Sequence, residues 1–289
     1  MHCSNPVTEI IRKRFSCRAY IDRPIREEER RHLGEFLSAT IAGPFGASVR
    51  FKLIAAADQD RKALKGLGTY GFIRGATGFI AGAVGRSEKN LEDFGYLMER
   101  AVLFATDIGL GTCWLGGSFT KNSFARKVCA TADEIVPAVA SVGYIPEQKI
   151  SGVTVPRPVG RHNRYPWDHL FFQERFGIPL LSDEAGPYAV PVEMVRVAPS
   201  ASNKQPWRIV KDGEFWHFYM QRTKGYGNSL AFRLLNIADL QRVDMGIAMS
   251  HFEFTASEIG LKGTWAFQEP WLEKPDSLCE YTVSWVSEI

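Results

Sequence analysis

The chain has 289 residues, of which 45% are hydrophobic and 23% are charged, and its net charge at neutral pH is +3. This ordinary globular composition excludes long disorder, and the small net charge argues against a nucleic-acid surface. No apolar run approaches the length of about 18 residues that a membrane-spanning helix requires. We therefore expect one or two domains that bind neither nucleic acid nor membranes, with any anion site formed by a local arginine cluster.

The cysteine and histidine patterns bear on redox and metal chemistry. The five cysteines are scattered, odd in number and form no CxxC motif, and the chain starts without a charged-then-apolar leader. These features predict a reduced, cytoplasmic protein without structural disulfides. The six histidines show no HxxxH or Cys/His spacing, so a zinc or thiol enzyme is disfavoured and no metal site is expected.

The first half of the chain alternates between helical and strand patterns. Expected helices are residues 6–14, 26–40, 59–65, 91–108 and 121–128, and expected strands are 49–57, 76–84, 112–115 and 137–144. The clearest helix is 91–108, which carries one apolar stripe and ends at Gly109, as helices commonly end. Residues 66–71 form a GxGxxG that does not follow a strand, so we reject a dinucleotide-binding fingerprint.

The second half follows a segment rich in proline, glycine and basic residues, 145–166, which we interpret as a linker. Beyond it, the expected helices are residues 167–176, 187–197 and 239–259, and the expected strands are 207–210, 215–220, 262–268 and 280–287.

Two segments carry groups that can bind a ligand. At the end of the first helix, three arginines and a lysine surround Ser16, a pattern that can clamp phosphate, although a solvated basic face is the plainer alternative. Residues 198–210 form a polar loop between Pro199 and Pro206, whose plainer interpretation is a helix-to-strand connection. A double glycine at residues 116–117 can bring backbone amides close to a ligand or can be a simple turn.

The two halves also resemble each other. Residues 93–114 align without a gap to residues 244–265, and a proline loop followed by a strand precedes both. Identical pairs are Asp93/Asp244, Gly95/Gly246, Met98/Met249, Ala105/Ala256, Ile108/Ile259, Gly109/Gly260, Leu110/Leu261 and Trp114/Trp265. The shared order of elements predicts an internal duplication, in which two copies pack about an approximate two-fold axis.

These residues resemble the FMN-dependent nitroreductase family, in particular its single-chain, internally duplicated members. The family's Arg-x-Ser-x-Arg-x-aromatic signature is matched by Arg14, Ser16, Arg18 and Tyr20. Its Pro-Ser-x-x-Asn-x-Gln-Pro-Trp signature is matched by Pro199, Ser200, Asn203, Gln205, Pro206 and Trp207. Two departures are Phe15, where the family commonly has a basic residue, and Ala201, where it often has serine.

The resemblance implies a non-covalent FMN site shared between the two halves. Arg14, Ser16 and Arg18 would hold the phosphate, together with Arg161 and Arg164 from the segment after the last core strand of the first half. Lining the flavin ring and ribityl chain would be Pro199, Ser200, Ser202 and Asn203. A backbone amide of the turn formed by Leu115, Gly116 and Gly117 would face N5, and no catalytic side chain is implied.

The expected fold is α+β and nitroreductase-like, with mostly antiparallel central sheets flanked by helices and two tandem copies fused as a pseudo-dimer. We assign residues 1–150 to the first half, 151–186 to a linker and crossover, and 187–289 to the second half. Because the family dimer would be fused within one chain, we expect a monomer.

The implied activity is that of a flavin oxidoreductase that passes hydride from NAD(P)H to an electron-poor small molecule, such as a nitroaromatic or a quinone. Two alternatives stay open, because a fold does not determine a function. One is a flavin storage or sensor protein without turnover, and the other is a different FMN chemistry on the same scaffold.

Overall fold

The computed structural model describes residues 3–39, 42–57, 62–146, 163–227 and 237–288. Within these ranges the α-helices are α1 (Val7–Lys13), α2 (Glu27–Ser38), α3 (Asn90–Asp107), α4 (Lys121–Lys127), α5 (Trp167–Leu170), α6 (Ala189–Arg196) and α7 (Leu240–Glu258). Short 3-10 turns lie at Lys62–Leu64, Gly186–Tyr188 and Ala201–Asn203. No helix in these parts of the chain is both long and apolar enough to cross a bilayer.

The strands form two five-stranded sheets. They are β1 (Val49–Ala55), β2 (Gly78–Gly85), β3 (Gly111–Leu115), β4 (Glu134–Ile135), β5 (Val139–Gly143), β6 (Phe171–Gln173), β7 (Trp207–Asp212), β8 (Phe215–Gln221), β9 (Gly263–Ala266) and β10 (Cys279–Ser287). The first sheet has the order β1-β2-β5-β3, with β4 paired to β2, and the second has the order β6-β7-β8-β10-β9. Only the pairing of β6 with β7 is parallel among these strands, so the predicted antiparallel character is confirmed.

Helices α3 and α7 cross at the centre of the molecule, where glycines let their backbones touch. A Cβ atom on Gly95 of α3 would lie 2.1 Å from the carbonyl oxygen of Val243, and one on Gly246 of α7 would lie 1.9 Å from that of Glu92. The contact is reciprocal, because each glycine meets the residue three positions before the other. The largest apolar cluster of the described residues surrounds this crossing and contains residues of both halves of the chain, among them Phe94 and Phe252.

Most predicted elements are present, with ends that shift by a few residues. Both central helices end within one residue of the predicted positions, and Gly109 and Gly260 lie just beyond them with φ of 85° and 80°. Residues 58–61, which belong to the predicted helix 59–65 or adjoin it, lie outside the described residues, as do residues 147–162 of the predicted linker.

The predicted helix over residues 167–176 is wrong beyond its first turn. The helix ends at Leu170, and the chain continues as strand β6 beside β7. Phe171 is buried in the central core, whereas Phe172 packs on a cluster that includes Tyr219 on the other face of the sheet. Adjacent aromatic residues that bury on opposite sides require the two-residue period of a strand. Strand β6, which lies within the predicted crossover segment, thus extends the second sheet.

The glycine crossing generates a stability prediction. Gly246→Ala should lower the free energy of unfolding by about 3 kcal/mol, because the new methyl group cannot fit without moving two helix backbones. The matched control is Gly34→Ala in α2, where a Cβ meets nothing within 4 Å. That change should raise stability by up to about 1 kcal/mol, since alanine is the better helix former. Denaturant unfolding measures the stability of both variants. Equal effects of the two substitutions would contradict a close backbone contact at Gly246.

Candidate functional site

Helix α1 is fixed at its N-terminus by carboxylates from both central helices. Asp107, the last residue of α3, accepts a hydrogen bond from the backbone N–H of Ser4 at 2.7 Å. Glu258, the last residue of α7, accepts one from the N–H of Thr8 at 3.1 Å. N–H groups in the first turn of a helix carry partial positive charge, so Glu258 stabilises the helix start, while Asp107 fixes the chain just before it. As a result, α1 lies across the two halves and delivers Arg14 at its C-terminal end.

The chain that follows α1 is extended and lies beside β3. Ser16 pairs with Thr112 in a parallel bridge, and the N–H of Cys17 donates to the Thr112 carbonyl oxygen at 2.8 Å. This path brings Ser16 and Arg18 to the thiol of Cys113. Burial raises the pKa of that thiol, and the positive charge of Arg18 is the largest opposing influence.

Arg14 is a buried cation, and two of its nitrogen atoms have no hydrogen-bond partner among the described residues. Its side chain is 6% exposed, and its Nε lies 3.7 Å from Oε1 of Glu99, too far for a hydrogen bond. Both Nε and Nη1 are buried without a hydrogen-bond partner in the described part of the chain. Burial lowers the pKa of Arg14, and the Glu99 carboxylate opposes this effect. Buried donors of this kind call for an acceptor, and a charged donor favours an anion.

Arg164 joins the arginine cluster to the polar loop. Its Nη1 donates to Oδ1 of Asn203, and its Nη2 donates to the carbonyl oxygen of Val197 at 3.0 Å. Its Nε is buried and has no partner among the described residues. The pKa of Arg164 falls to about 10, chiefly through burial and secondarily because the charges of Arg14 and Arg196 are close by. Arg14, Arg164 and Asn203 therefore lie in one neighbourhood, as the sequence predicts.

The polar loop between α6 and β7 has an unusual backbone. Positive φ angles occur at Ser202 (51°), Asn203 (57°) and Gln205 (48°), each of which costs about 1–3 kcal/mol for a non-glycine residue. The buried Gln205 helps to hold this shape, because its N–H donates to Oγ of Ser200 at 2.9 Å. Its side-chain Oε1 also accepts a hydrogen bond from the N–H of Tyr165 at 2.8 Å.

A buried aspartate of each central helix holds the proline loop of its own half. Asp244 of α7 accepts a hydrogen bond from the N–H of Ala201 at 2.9 Å. Asp93 of α3 likewise accepts hydrogen bonds from the N–H groups of Phe45 at 2.9 Å and Ala47 at 2.7 Å. Burial raises the pKa of both carboxyl groups, and the backbone N–H donors oppose this shift.

The turn after β3 makes the close contacts that its glycines permit, but those contacts are with protein side chains. A Cβ on Gly116 would lie 2.3 Å from Cδ1 of Leu240, and one on Gly117 would lie 3.0 Å from Cδ1 of Ile237. Leu115 is buried in an apolar cluster of the first half. A ligand at this turn would therefore meet the backbone of Leu115 instead of its side chain.

The structure thus brings together part of the predicted set. Arg14, Arg164 and Asn203 are neighbours. Ser16 and Arg18 contact the thiol of Cys113, which also lies near the charge of Arg14. Ser200 accepts a hydrogen bond that stabilises the loop carrying Asn203. Arg161 lies outside the described residues. The predicted residues that no described contact joins to this cluster are Pro199, Ser202, Leu115, Gly116 and Gly117.

Several residues at the site were not predicted as site residues. Glu99 faces Arg14, Cys113 lies among the arginines, and Asp244 and Gln205 support the loop. The alignment of Asp93 with Asp244 at the start of the two long helices was the signal that could have identified the loop supports. No comparable pattern marked Glu99.

Comparison with known proteins gives the family. The sequence matches the family described as "Putative TM nitroreductase" over residues 6–256. Because this match covers most of the chain, the protein belongs to that nitroreductase family, and the predicted family is confirmed at this level. No curated protein matches the sequence.

Solved structures agree with the fold class. A putative nitroreductase from Thermotoga maritima is similar with a TM-score of 0.61 and 21% identity, over 99% of this chain and 95% of that chain. At this identity the likeness shows the fold alone, a nitroreductase-like α+β arrangement with antiparallel sheets. A structure described as a putative nitroreductase in complex with FMN, from Desulfovibrio desulfuricans, has a TM-score of 0.39 and 25% identity, over 56% of this chain and 99% of that chain. The FMN and NADPH-dependent nitroreductase NfnB from Sphigopyxis has a TM-score of 0.39 and 13% identity, over 53% and 95%.

The support of the polar loop by Asp244 generates a pH prediction. Because burial raises the folded-state pKa above 3.8, the stability that this carboxyl contributes is present below that value and is lost as pH rises through the folded-state pKa. Asp244→Asn, which resembles the protonated acid, should therefore gain stability relative to the wild type as pH increases from about 4 to 8. Denaturant unfolding across this range measures the difference.

The companion variant Asp244→Ala removes the acceptor for the Ala201 N–H. It should be about 1–3 kcal/mol less stable than Asp244→Asn at every pH, because neither variant carries the carboxyl group and only the alanine leaves the partly buried N–H without its acceptor. Parallel pH profiles for the wild type and Asp244→Asn would show that the carboxyl group does not titrate differently in the folded protein.

Proposed function

We propose that the protein is an FMN-dependent oxidoreductase with one flavin site between its two halves. The observation that carries this proposal is the pair of neighbouring guanidinium groups, Arg14 and Arg164, which both hold buried N–H donors without a partner among the described residues. Arg164 also contacts Asn203 of the polar loop. Membership of the nitroreductase family supports a flavin as the ligand. Nitroreductase structures described with FMN add support from other proteins.

The donor set fits the phosphate of FMN. A phosphate is a dianion with several acceptor oxygens, and guanidinium groups are well suited to bind it. Arg14, Ser16, Arg18 and Arg164 would hold this group, and Arg161 would add a further cation. The burial of Arg14 strengthens its attraction for the phosphate, because charges interact more strongly where water is excluded.

The polar loop and the glycine turn would contact the rest of the cofactor. Pro199, Ser200, Ser202 and Asn203 would line the ribityl chain and ring, and an amide of the turn at residues 115–117 would lie near N5. When bound, FMN would supply the redox chemistry, accepting hydride from NAD(P)H and delivering it to an electron-poor acceptor such as a nitroaromatic or a quinone. The protein would bind the flavin, orient it and shield it from water, and its side chains would supply no catalytic acid or base.

Within this proposal the chain is a fused pseudo-dimer that acts as a monomer. Support comes from the reciprocal glycine contacts of the central helices and from the two aspartates that hold equivalent proline loops. The arginine segment belongs to the first half, whereas the loop with polar side chains belongs to the second. One complete site per chain follows from this distribution.

Anaerobic spectroscopy tests the proposed activity. The purified protein should show flavin absorbance, which NADH or NADPH should bleach and which a nitroaromatic or quinone should then restore, with reduced acceptor formed in equal amount. A flavin that neither nicotinamide reduces would indicate a storage or sensor protein. Bleaching without reoxidation by these acceptors would indicate a different flavin chemistry. A protein that binds no flavin would exclude the proposal.

The phosphate assignment is tested by comparing FMN with riboflavin, which lacks the phosphate. Arg14→Met should raise the dissociation constant for FMN by about 10- to 100-fold, the value of one lost charged hydrogen-bonding group, and leave that for riboflavin nearly unchanged. The control is Arg31→Met, because Arg31 is exposed and pairs with Glu35 on α2. Equal losses for both flavins would place Arg14 away from the phosphate.

A further inference from the structure

A buried hydrogen-bonded chain lies directly behind Arg14 and links the two halves. Glu99 of α3 and His251 of α7 are both fully buried, and His251 Nε2 lies 3.0 Å from Glu99 Oε1. The other imidazole nitrogen, Nδ1, lies 2.9 Å from the carbonyl oxygen of Met194 in α6. The second oxygen of Glu99, Oε2, accepts a hydrogen bond from the indole N–H of Trp114 at 2.7 Å.

The partners of this chain determine where its protons lie. A carbonyl oxygen can only accept, so Nδ1 of His251 must carry a hydrogen. If the ring were neutral, Nε2 would then be an acceptor facing a carboxylate oxygen, and two acceptors cannot form a hydrogen bond. One proton must therefore lie between Nε2 and Oε1. Whether it is assigned to the imidazole or to the carboxyl group, the pair of His251 and Glu99 has no net charge.

The zero net charge of the His251 and Glu99 pair determines which anion Arg14 can bind. The Glu99 carboxyl is 3.7 Å from Arg14 Nε, close enough to attract the guanidinium but not hydrogen-bonded to it. A carboxylate with no shared proton would be a full negative charge beside Arg14 and would compete for its donors. With the shared proton present, the positive charge of Arg14 stays available to another anion.

We propose that His251 and Glu99 are positioning residues for the phosphate end of the flavin site, acting as a neutral pair that keeps Arg14 available to the phosphate. This inference rests on the proposed function, and it assigns a role to a histidine of the second half that does not touch the ligand. It explains why a carboxylate is tolerated behind a phosphate-binding arginine. It also makes phosphate affinity depend on a contact between the halves.

The test compares FMN and riboflavin binding by the full-length chain after its flavin has been removed. His251→Gln keeps a hydrogen-bonding side chain but cannot share a charge-compensating proton, so Glu99 becomes a bare carboxylate. The dissociation constant for FMN should rise about tenfold, and that for riboflavin should not change. The matched control is His32→Gln on α2, a histidine near the surface, which should alter neither value.

The second substitution distinguishes charge from packing. Adding Glu99→Gln to His251→Gln removes the competing carboxylate and should return FMN affinity to within about threefold of the wild type. If His251 served only to fill the core, the single variant would weaken both flavins equally and the second change would not rescue binding. Either result would overturn the inference.

Glu99→Gln alone gives an independent measurement should His251→Gln fail to fold. The amide can donate to Nε2 of His251 and accept from Trp114, so FMN affinity should stay within about threefold of the wild type. A tenfold loss would mean that the charge of Glu99 supports phosphate binding, which contradicts the inference. A wild-type chain that binds neither flavin would instead refute the proposed function itself, so the two failures are distinguishable.

Discussion

The backbone contact between α3 and α7 is the constraint on which the rest of the structure depends. Gly95 and Gly246 bring the two helices so close that any side chain at either position would overlap a carbonyl oxygen of the partner helix. Close approach of this kind sets the spacing of the two sheets, because each sheet packs on its own central helix. It also sets the distance between groups that the two halves contribute to the site.

The site is assembled from elements that the central helices hold in place. The ends of α3 and α7 supply Asp107 and Glu258, which fix the start of α1 and thereby the position of Arg14. Near the start of α7, Asp244 holds the loop that carries Asn203. Arg164 then connects the two regions through its contact with Asn203. The geometry of the proposed anion site thus follows from the helix crossing, although neither of the crossing glycines belongs to that site.

Much of the fold and part of the site could be predicted from the sequence. The central helices and their glycine ends followed from periodicity. The proximity of Arg14 and Asn203 followed from a resemblance in two motifs, and that of Arg164 from its place after the last core strand of the first half. Strand β6 could not be predicted in this way, because Phe171 and Phe172 give the same local signal in a helix or a strand. Their burial on opposite faces of the second sheet decides between the two, and that information is tertiary.

Glu99 and His251 were missed for a related reason. A glutamate next to Arg100 in an amphipathic helix is normally expected on the solvent side. Helix α3, however, is buried over nearly all its N-terminal half, since α7 covers one side and the first sheet covers another. A charged residue there must find buried partners. For Glu99 these are His251 of α7, which is 152 residues away in the sequence, and Trp114 of β3, which is 15 residues away. Local pattern carries no information about such a pairing.

The asymmetry of the site originates in its loops and not in its scaffold. Asp93 and Asp244 perform the same task for the two proline loops, so the frame is alike on both sides. In the first loop Phe45 and Ala47 stand where the second loop has Ser200 and Ser202, and the positive-φ backbone of Ser202 and Asn203 accompanies the polar version. A strained backbone persists only where its surroundings hold it, and here Arg164 supplies part of that support. The guanidinium of Arg164, which is part of the proposed anion site, therefore also shapes the loop beside it. This shared role is consistent with the proposal of a single site between the two halves.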